Sequence, residues 1–141
     1  MTTIAYKNGT LAADSLLTQG TTRVGSFNKI EKLEDGSYIA MAGSVEVFEE
    51  VLLWLNDRTL PKPVLGEDDA FSALIVSPDK TVRELSNSLR FFKVVGNWAD
   101  GSGGLIALTA MHLGKTARQA IEVAIELDVG TGGKVNSVKV F

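Results

Sequence analysis

A small set of residues near the start of the chain could carry out nucleophilic chemistry on a carbonyl group. Thr2 would carry a free α-amine once Met1 is removed, and this amine could be the base that a threonine hydroxyl needs to become a nucleophile. An α-amine has a pKa of about 7.7–8.0, so a useful fraction of it is neutral near pH 7. A nearby ammonium, such as that of Lys29, would lower this pKa by like-charge repulsion. The sequence therefore allows a threonine nucleophile that uses its own amine as a base.

Asp14 and Gly43 stand where they could support such a nucleophile. Asp14 ends an apolar strand and could pair with the Lys29 ammonium. Gly43 follows an apolar run and precedes a predicted helix, so its N–H could face a developing oxyanion near the positive end of that helix. Each residue also has a simpler interpretation, as a strand start, a solvated lysine, a turn aspartate or a turn glycine. Taken one by one, the simpler interpretations are favoured.

The composition of the chain excludes several other kinds of site. Its 141 residues carry a net charge of −3, which gives no basic surface for nucleic acid and no cationic face for a membrane. The absence of cysteine excludes disulfides and thiolate catalysis, and the single histidine, His112, argues against multi-histidine metal sites and a Ser-His-Asp triad. The glycine-rich loop 101–104 lacks the Gly-Lys-Ser/Thr ending of a P-loop. We therefore expect no metal, no cofactor, no nucleic acid and no membrane partner.

Most of the predicted elements are strands joined in hairpins. Asn8-Gly9 gives a strong hairpin signal between two β-prone segments, and residues 34–36 have the composition of a turn between two more. The polar stretch 15–26 is expected to be a connection. In chain order, the predicted strands are 2–6, 10–14, 28–33, 37–42, 70–77, 81–86, 91–95 and 134–141.

Three further segments have the pattern of helices. Ser44 is the expected N-cap of the first, and Thr116 and Gln119 have the capping-box spacing that begins the third. The predicted helices are 45–57, 105–113 and 116–127. This order of elements predicts antiparallel sheets covered by helices, an α+β fold that residues 1–141 form as one domain.

Six short motifs fall in the order seen in proteasome β-subunits and in the bacterial HslV peptidase. They are Thr2-Thr3-Ile4-Ala5, Leu11-Ala12-Ala13-Asp14-Ser15, Asn28-Lys29-Ile30, Met41-Ala42-Gly43-Ser44, Gly101-Ser102-Gly103-Gly104, and Asp128 with Thr131-Gly132-Gly133. No single motif is specific, but together they span nearly the whole chain. The chain therefore resembles the N-terminal-nucleophile hydrolases of proteasome β-subunit and HslV type.

The resemblance implies a role for each matched position in the first half of the chain. Thr2 resembles the catalytic threonine, and Asp14 and Lys29 resemble the pair that tunes it. Gly43 is similar to the glycine of the oxyanion hole. Met41 falls where the family lines its first specificity pocket, which would then be apolar.

The resemblance also implies that matched positions elsewhere hold the Thr2 amine or contact the substrate. Ser102, Asp128 and Thr131 resemble the residues that hold the free amine and a water nearby. The family keeps a serine at the last of these positions, and Thr131 retains the hydroxyl. The resemblance is also extended to Thr22 as a residue that contacts substrate.

The resemblance further implies a fold, an activity and partners. The family fold is a four-layer αββα sandwich with two antiparallel sheets. Its members form stacked homo-oligomeric rings that enclose the active sites and receive unfolded protein from an ATPase ring. The chain would then be a threonine-type endopeptidase acting on peptides or unfolded proteins. No secretory signal or membrane-length apolar run is visible, which favours a cytoplasmic location.

The chain departs from the family pattern in two segments. Where the family has a second long helix, residues 58–69 form a short stretch that contains Pro61 and Pro63, so one helical layer should be reduced. Residues 97–100 look like a small insertion before the glycine-rich loop.

Two alternatives remain beside a peptidase. The same N-terminal machinery could hydrolyse a different small amide, or the chain could be a catalytically inactive, structural subunit of a proteasome-like assembly. The reduced helical layer favours the inactive subunit, whereas the intact set of site residues argues against it. If Met1 is retained, the amine of Thr2 becomes an amide and the peptidase mechanism fails.

Overall fold

The computed structural model describes residues 2–141, so Met1 and its expected removal lie outside the described residues. The strands in chain order are β1 (Thr3–Lys7), β2 (Thr10–Ala13), β3 (Leu16–Gln19), β4 (Thr22–Ser26), β5 (Ile30–Lys32), β6 (Tyr38–Gly43), β7 (Phe71–Val76), β8 (Val82–Leu85), β9 (Phe91–Lys93), β10 (Trp98–Gly101) and β11 (Asn136–Lys139). The α-helices are α1 (Phe48–Asn56), α2 (Gly104–His112) and α3 (Ala117–Leu127), and a 3₁₀ turn at Val45–Val47 leads into α1. No helix within residues 2–141 combines the length and the apolar character that a bilayer crossing requires.

The strands form antiparallel sheets, as the hairpin signals predict. One sheet has the order β10-β1-β2-β11 and another has the order β5-β6-β7-β8-β9. Asn8 and Gly9 both adopt positive φ, +49° and +83°, which is the backbone of the tight turn that suits the twist of a two-stranded hairpin. The predicted α+β class with antiparallel sheets is confirmed.

Alternation along β1 and β2 buries both faces of the four-stranded sheet. Ala5 and Ala12 pack against α2 and α3, where small side chains allow helices to approach the sheet closely. Their strand neighbours Ile4 and Leu11 point to the opposite face and pack against the five-stranded sheet. The strand that follows Thr2 therefore lies between two apolar layers.

The five-stranded sheet is buried in the same way. Ala40 on β6 faces the four-stranded sheet, while Ile39 and Met41 face α1 and its aromatic residues. The longest central strands, β6 and β7, read as nearly continuous apolar runs because both of their faces are covered. This burial fixes the position of Gly43 at the end of β6.

The α1 side of the five-stranded sheet carries one α-helix, as the two prolines predict. Residues 57–70 contain no helix or strand. A stack of aromatic and cationic side chains packs at the end of α1. The Trp54 and Phe91 rings stack 6.2 Å apart, and the Arg58 guanidinium lies 4.1 Å from the Trp54 ring centre. This stack covers part of the sheet face that a second helix would otherwise cover.

Two segments differ from the expected secondary structure. The stretch 15–26, expected to be a connection, forms the two-stranded hairpin β3–β4. Much of this ribbon is exposed, so its sequence is polar and lacks the apolar alternation that marks a half-buried strand. Residues 97–100 contribute most of β10, whose sequence Trp-Ala-Asp-Gly has little intrinsic strand preference. β10 is a strand because it pairs with β1 along its whole length.

The helix ends follow the sequence signals in two cases and depart from them in one. The capping box of α3 is confirmed, since the Gln119 N–H donates to the Thr116 hydroxyl and the Thr116 N–H donates to the Gln119 side chain. Gly114, with φ of +103°, ends α2 as expected. Ser44 was expected to cap a helix that begins at residue 45, but it makes no side-chain cap bond. The chain makes a 3₁₀ turn first, and α1 begins at Phe48.

Candidate active site

Thr2 directly precedes β1, an interior strand of its sheet. β1 is hydrogen-bonded to β2 on one side and to β10 on the other, with Gly101 opposite Thr3. Gly101 has φ of +96°, and a Cβ atom there would lie 1.7 Å from the Thr2 carbonyl oxygen. Only glycine permits this close approach of two backbones. The strand pairing thus holds Thr2 in a fixed place, although it lies near the chain terminus.

Thr2, Lys29 and Gly43 line one cavity of about 580 Å³. Thr2 comes from the start of β1, Lys29 from the segment before β5, and Gly43 from the end of β6. The two sheets and the hairpin β3–β4 meet here, since Leu17 and Thr18 of that hairpin also line the cavity. The structure therefore brings together three residues that are far apart in the sequence and that the motifs singled out.

Lys29 and Asp14 form a buried ion pair behind the cavity wall. The Lys29 Nζ donates to Asp14 Oδ1 at 2.7 Å and to the Leu16 carbonyl oxygen at 2.9 Å. The side chains are 1% and 0% exposed. Asp14 also accepts the Thr3 N–H on Oδ1 at 3.1 Å and the Gly132 N–H on Oδ2 at 3.0 Å. Asp14 therefore fixes the lysine ammonium relative to the start of β1.

Burial acts on the charge of Lys29. Removal of the ammonium from water lowers the pKa of Lys29 below its ordinary value, while the Asp14 carboxylate counteracts this by attraction and by its hydrogen bond. Lys29 thus places an amine on the cavity wall, and Asp14 favours its charged form.

Ser102, Asp128 and Thr131 form a second cluster. Both hydroxyls donate to the same carboxylate oxygen, Asp128 Oδ2, at 2.6 Å from Ser102 and 2.5 Å from Thr131. Burial alone would raise the pKa of the Asp128 carboxyl, but the hydrogen bonds from Ser102 and Thr131 outweigh it and hold that pKa below its usual value. Asp128 is therefore an ionised carboxylate near neutral pH.

Thr3 connects these two clusters, and the sequence analysis assigned it no role. Its N–H bonds Asp14, and its hydroxyl lies 2.6 Å from the Thr131 hydroxyl and accepts the Gly103 N–H at 3.1 Å. Successive residues of a strand point to opposite faces, so Thr3 points away from the cavity that Thr2 lines. The available signal was a second hydroxyl residue directly after the candidate nucleophile, followed by the apolar residues Ile4 and Ala5.

Gly43 lies on the cavity wall with φ of +110°. A Cβ atom at this position would stand 2.0 Å from the Ala70 carbonyl oxygen, so the turn from β6 into the 3₁₀ segment requires glycine. The positive end of α1 lies farther along the chain than the sequence predicts, because α1 begins at Phe48. The neighbouring Ser44 N–H donates to the Ala70 carbonyl oxygen at 2.8 Å, so help to an oxyanion would come first from the Gly43 N–H.

The two residues expected to bind substrate do not line this cavity. Met41 is 1% exposed and packs in the core between α1 and the five-stranded sheet. Thr22 is an exposed residue of β4, paired with Gln19. Their roles in substrate binding stay predictions.

The cavity wall is more acidic than the apolar pocket that the resemblance implies. Glu46, Asp68 and Asp69 line it together with apolar residues such as Val45. Asp69 also closes its own loop by accepting the Gly66 N–H at 2.9 Å. Among residues 2–141, no group of three or more histidine, aspartate or glutamate side chains is arranged to hold a metal ion.

Comparison with known proteins gives similarity at the level of structure. No family model matches the chain, and no curated protein matches it in sequence. The solved structure of Thiobacillus denitrificans BPH matches with a TM-score of 0.71 and 24% identity over 97% of this chain and 95% of that chain. The same protein in complex with epoxomicin matches with a TM-score of 0.68 and 21% identity over 97% and 96% of the two chains. Eukaryotic HslV from Trypanosoma brucei matches with a TM-score of 0.66 and 20% identity over 97% of each chain.

These matches show that the chain has the fold of HslV from end to end. The predicted resemblance to HslV-type proteins is thus confirmed at the level of the fold. Identities below 25% show the fold alone, so the activity has to be argued from the site.

Proposed function

We propose that the chain is a threonine-type endopeptidase that uses Thr2, exposed by removal of Met1, as its nucleophile. The α-amine of Thr2 takes the proton of its own hydroxyl, and the hydroxyl oxygen attacks a peptide carbonyl carbon. The N–H of Gly43 stabilises the oxyanion. As the peptide bond breaks, the Thr2 amine passes the proton to the leaving nitrogen, and the first product departs as an amine. A water molecule, activated by the same amine, then hydrolyses the acyl-enzyme.

The observation that carries this proposal is the buried Lys29–Asp14 pair at the cavity that Thr2 lines. A lone α-amine is largely protonated at neutral pH and then cannot accept a proton. The Lys29 ammonium opposes this protonation by like-charge repulsion. Burial lowers the pKa of Lys29, and Asp14 opposes this by favouring the charged ammonium and holding it in place. Lys29 lines the same cavity as Thr2, a position that a salt bridge serving only the fold does not require.

The second cluster supports the same mechanism. The ionised Asp128, held by Ser102 and Thr131, would orient the Thr2 amine and a water molecule next to the hydroxyl. Because its hydroxyl proton points at Asp128, the oxygen of the exposed Ser102 can still accept a hydrogen bond from an amine or water. The Ser102–Asp128–Thr131 cluster is thus suited to position the Thr2 amine and a water molecule.

The finer features of the HslV-type proteins are part of the proposal. We infer that the three core clusters belong to a four-layer αββα sandwich formed by one domain. We also infer that copies of the chain assemble into a cytoplasmic homo-oligomeric ring, that unfolded protein or peptide is the substrate, and that an ATPase partner delivers it. Similarity to HslV over 97% of the chain supports these inferences.

The nucleophile is tested by Thr2→Ala in the purified, assembled protein. Removal of the hydroxyl should lower the hydrolysis of fluorogenic peptides by several orders of magnitude and abolish labelling by an epoxyketone such as epoxomicin. Mass spectrometry should show the wild-type chain without Met1 and the label on Thr2. Thr109→Ala on α2 is the matched control and should keep full activity.

The outcomes separate the proposal from its alternatives. Unchanged peptide hydrolysis in Thr2→Ala would refute the proposed nucleophile. Labelling of Thr2 without turnover of any peptide would favour a small-amide hydrolase. A demethionylated, assembled protein that neither turns over peptides nor becomes labelled would be a structural subunit.

A further inference from the structure

Thr3 is the residue at which the two clusters of the site meet. It is 0% exposed. Its N–H donates to Asp14 Oδ1 at 3.1 Å, which ties it to the partner of Lys29. Its hydroxyl contacts the Thr131 hydroxyl at 2.6 Å and accepts the Gly103 N–H at 3.1 Å, which ties it to the Asp128 cluster. Thr3 thus bonds to one cluster through its backbone and to the other through its side chain.

The direction of the hydroxyl protons in this chain of bonds is fixed. The Thr131 hydroxyl has a single proton, which it donates to Asp128 Oδ2 at 2.5 Å. The Thr131 oxygen must therefore accept in its contact with Thr3, so the Thr3 hydroxyl is the donor there. The Thr3 oxygen in turn accepts the Gly103 N–H. Every proton along this path points from Gly103 towards the Asp128 carboxylate.

The two ends of the path explain why its direction matters. Gly103 is the N-cap residue of α2, so its N–H lies at the positive end of that helix. Asp128 is the anionic end. A chain of hydrogen bonds between a helix N-terminus and a carboxylate polarises every bond within it. Thr3 occupies the middle of this path and is also the residue bonded covalently to Thr2.

We propose that Thr3 is a positioning residue, which holds Thr131 and Asp128 in register with the Asp14–Lys29 pair so that Thr2 sits correctly between them. This inference rests on the proposed peptidase function. Thr3 does not line the cavity, so a substrate does not touch its side chain. Removal of the Thr3 hydroxyl should therefore lower kcat and leave KM nearly unchanged, because this hydroxyl acts on the position of the reacting groups and not on substrate binding.

The test compares Thr3→Val with Thr3→Ser in the full, assembled chain. Valine keeps the volume of threonine but removes the hydroxyl, whereas serine keeps the hydroxyl. We expect Thr3→Val to lower kcat for a fluorogenic peptide by about 10²-fold, the effect of a small misplacement of reacting groups. Thr3→Ser should restore kcat close to the wild-type value.

A matched control separates positioning from general loss of stability. Ser37 is buried, and its hydroxyl contacts the Ser77 hydroxyl at 2.8 Å at the start of β6, away from the cavity. Ser37→Ala therefore removes a buried hydroxyl pair without touching the site. It should lower the melting temperature and leave kcat unchanged. If Ser37→Ala lowers kcat as much as Thr3→Val, the effect is structural and the inference is wrong.

A second measurement does not depend on turnover. Amide hydrogen exchange at Gly103 should accelerate in Thr3→Val, because its N–H loses its acceptor, and should stay protected in Thr3→Ser. Wild-type kcat in Thr3→Val, equal loss in both variants, or unchanged exchange at Gly103 would each overturn the inference. If Thr3→Val does not fold, the pair Thr3→Ala and Thr3→Ser gives the same comparison. A wild-type protein without turnover or labelling refutes the proposed function instead, and the exchange at Gly103 still tests the path.

Discussion

Asp128 is the residue whose charge state the structure defines most directly. Ser102 and Thr131 both donate to one of its oxygens, and the pKa of this carboxyl lies below its usual value because these bonds outweigh its partial burial. A carboxylate that is stabilised in the folded state but not in the unfolded state couples folding to pH. Asp128 should therefore contribute to the acid sensitivity of the protein.

Asp128→Asn should reduce the dependence of stability on acid. The unfolded carboxyl has a pKa of about 3.9, and the folded one is lower. Its contribution is thus fully present above the unfolded pKa and is lost as pH falls through the folded pKa. Urea unfolding between about pH 2 and pH 6 should show a smaller loss of stability in Asp128→Asn than in the wild type. Glu49→Gln, which removes an exposed carboxylate of α1, is the charge-matched control, and an identical acid dependence in wild type and Asp128→Asn would contradict this expectation.

Sequence motifs suggested which residues meet but not how they are bonded. The structure brings Asp14 into contact with Lys29, and Ser102 and Thr131 into contact with Asp128. Their catalytic roles stay predictions. The role of Thr3 could not be predicted from the sequence. Its side-chain partners, Gly103 and Thr131, are 100 and 128 residues away, and no local sequence pattern indicates a contact between residues so far apart.

At the level of secondary structure, the successful predictions rest on local signals. The Asn8-Gly9 hairpin and the capping box at Thr116 are each decided by a few neighbouring residues. β10 could not be predicted in this way, because its strand conformation depends on pairing with β1, about 95 residues earlier in the chain. The site depends on locally determined elements and on β10 alike, because β10 ends at Gly101, which packs against the Thr2 backbone.

Gly101→Ala should disrupt the site far more than a similar change elsewhere. Gly101 and Gly96 have nearly equal φ values, +96° and +87°, but a Cβ atom at Gly101 would meet the Thr2 carbonyl oxygen, whereas one at Gly96 would meet nothing within 4 Å. Gly96→Ala should therefore cost only the left-handed backbone strain, about 1–2 kcal/mol. Gly101→Ala should cost more and should also abolish epoxyketone labelling of Thr2, because the start of β1 must move.

Chemical denaturation and labelling measure the two glycine variants side by side. Equal losses of stability in Gly96→Ala and Gly101→Ala, with labelling intact in both, would show that the close approach at Gly101 does not position Thr2.

At the scale of the whole molecule, an apolar face lies at the ends of α2 and α3. Leu105, Leu113 and Leu127 are 78%, 77% and 68% exposed and line one shallow groove. Contiguous apolar surface of this kind commonly marks a site of protein–protein contact. A ring assembly, as proposed for this chain, requires contact surfaces between its copies, and this face is suited to such a role.

Leu113→Asp should weaken assembly of the chain. Sedimentation of the wild type should show an oligomer, and a buried, unpaired carboxylate in its contact should shift the variant towards the monomer. Val64→Asp places the same charge at a single, 94% exposed apolar residue in the loop before β7 and should leave sedimentation unchanged. A monomeric wild type would contradict the ring, and an unaltered oligomer in Leu113→Asp would place the contact elsewhere.

The hydrogen bonds of the site join residues that lie far apart in the sequence. Thr3 is bonded to Thr131 across 128 residues, and Asp14 is bonded to Gly132 across 118. A ribosome synthesises the chain from its N-terminus, so Thr131 and Gly132 emerge more than a hundred residues after Thr3 and Asp14. A nascent chain therefore cannot close these hydrogen bonds, and the site proposed for hydrolysis can form only after residues 128–132 have been synthesised.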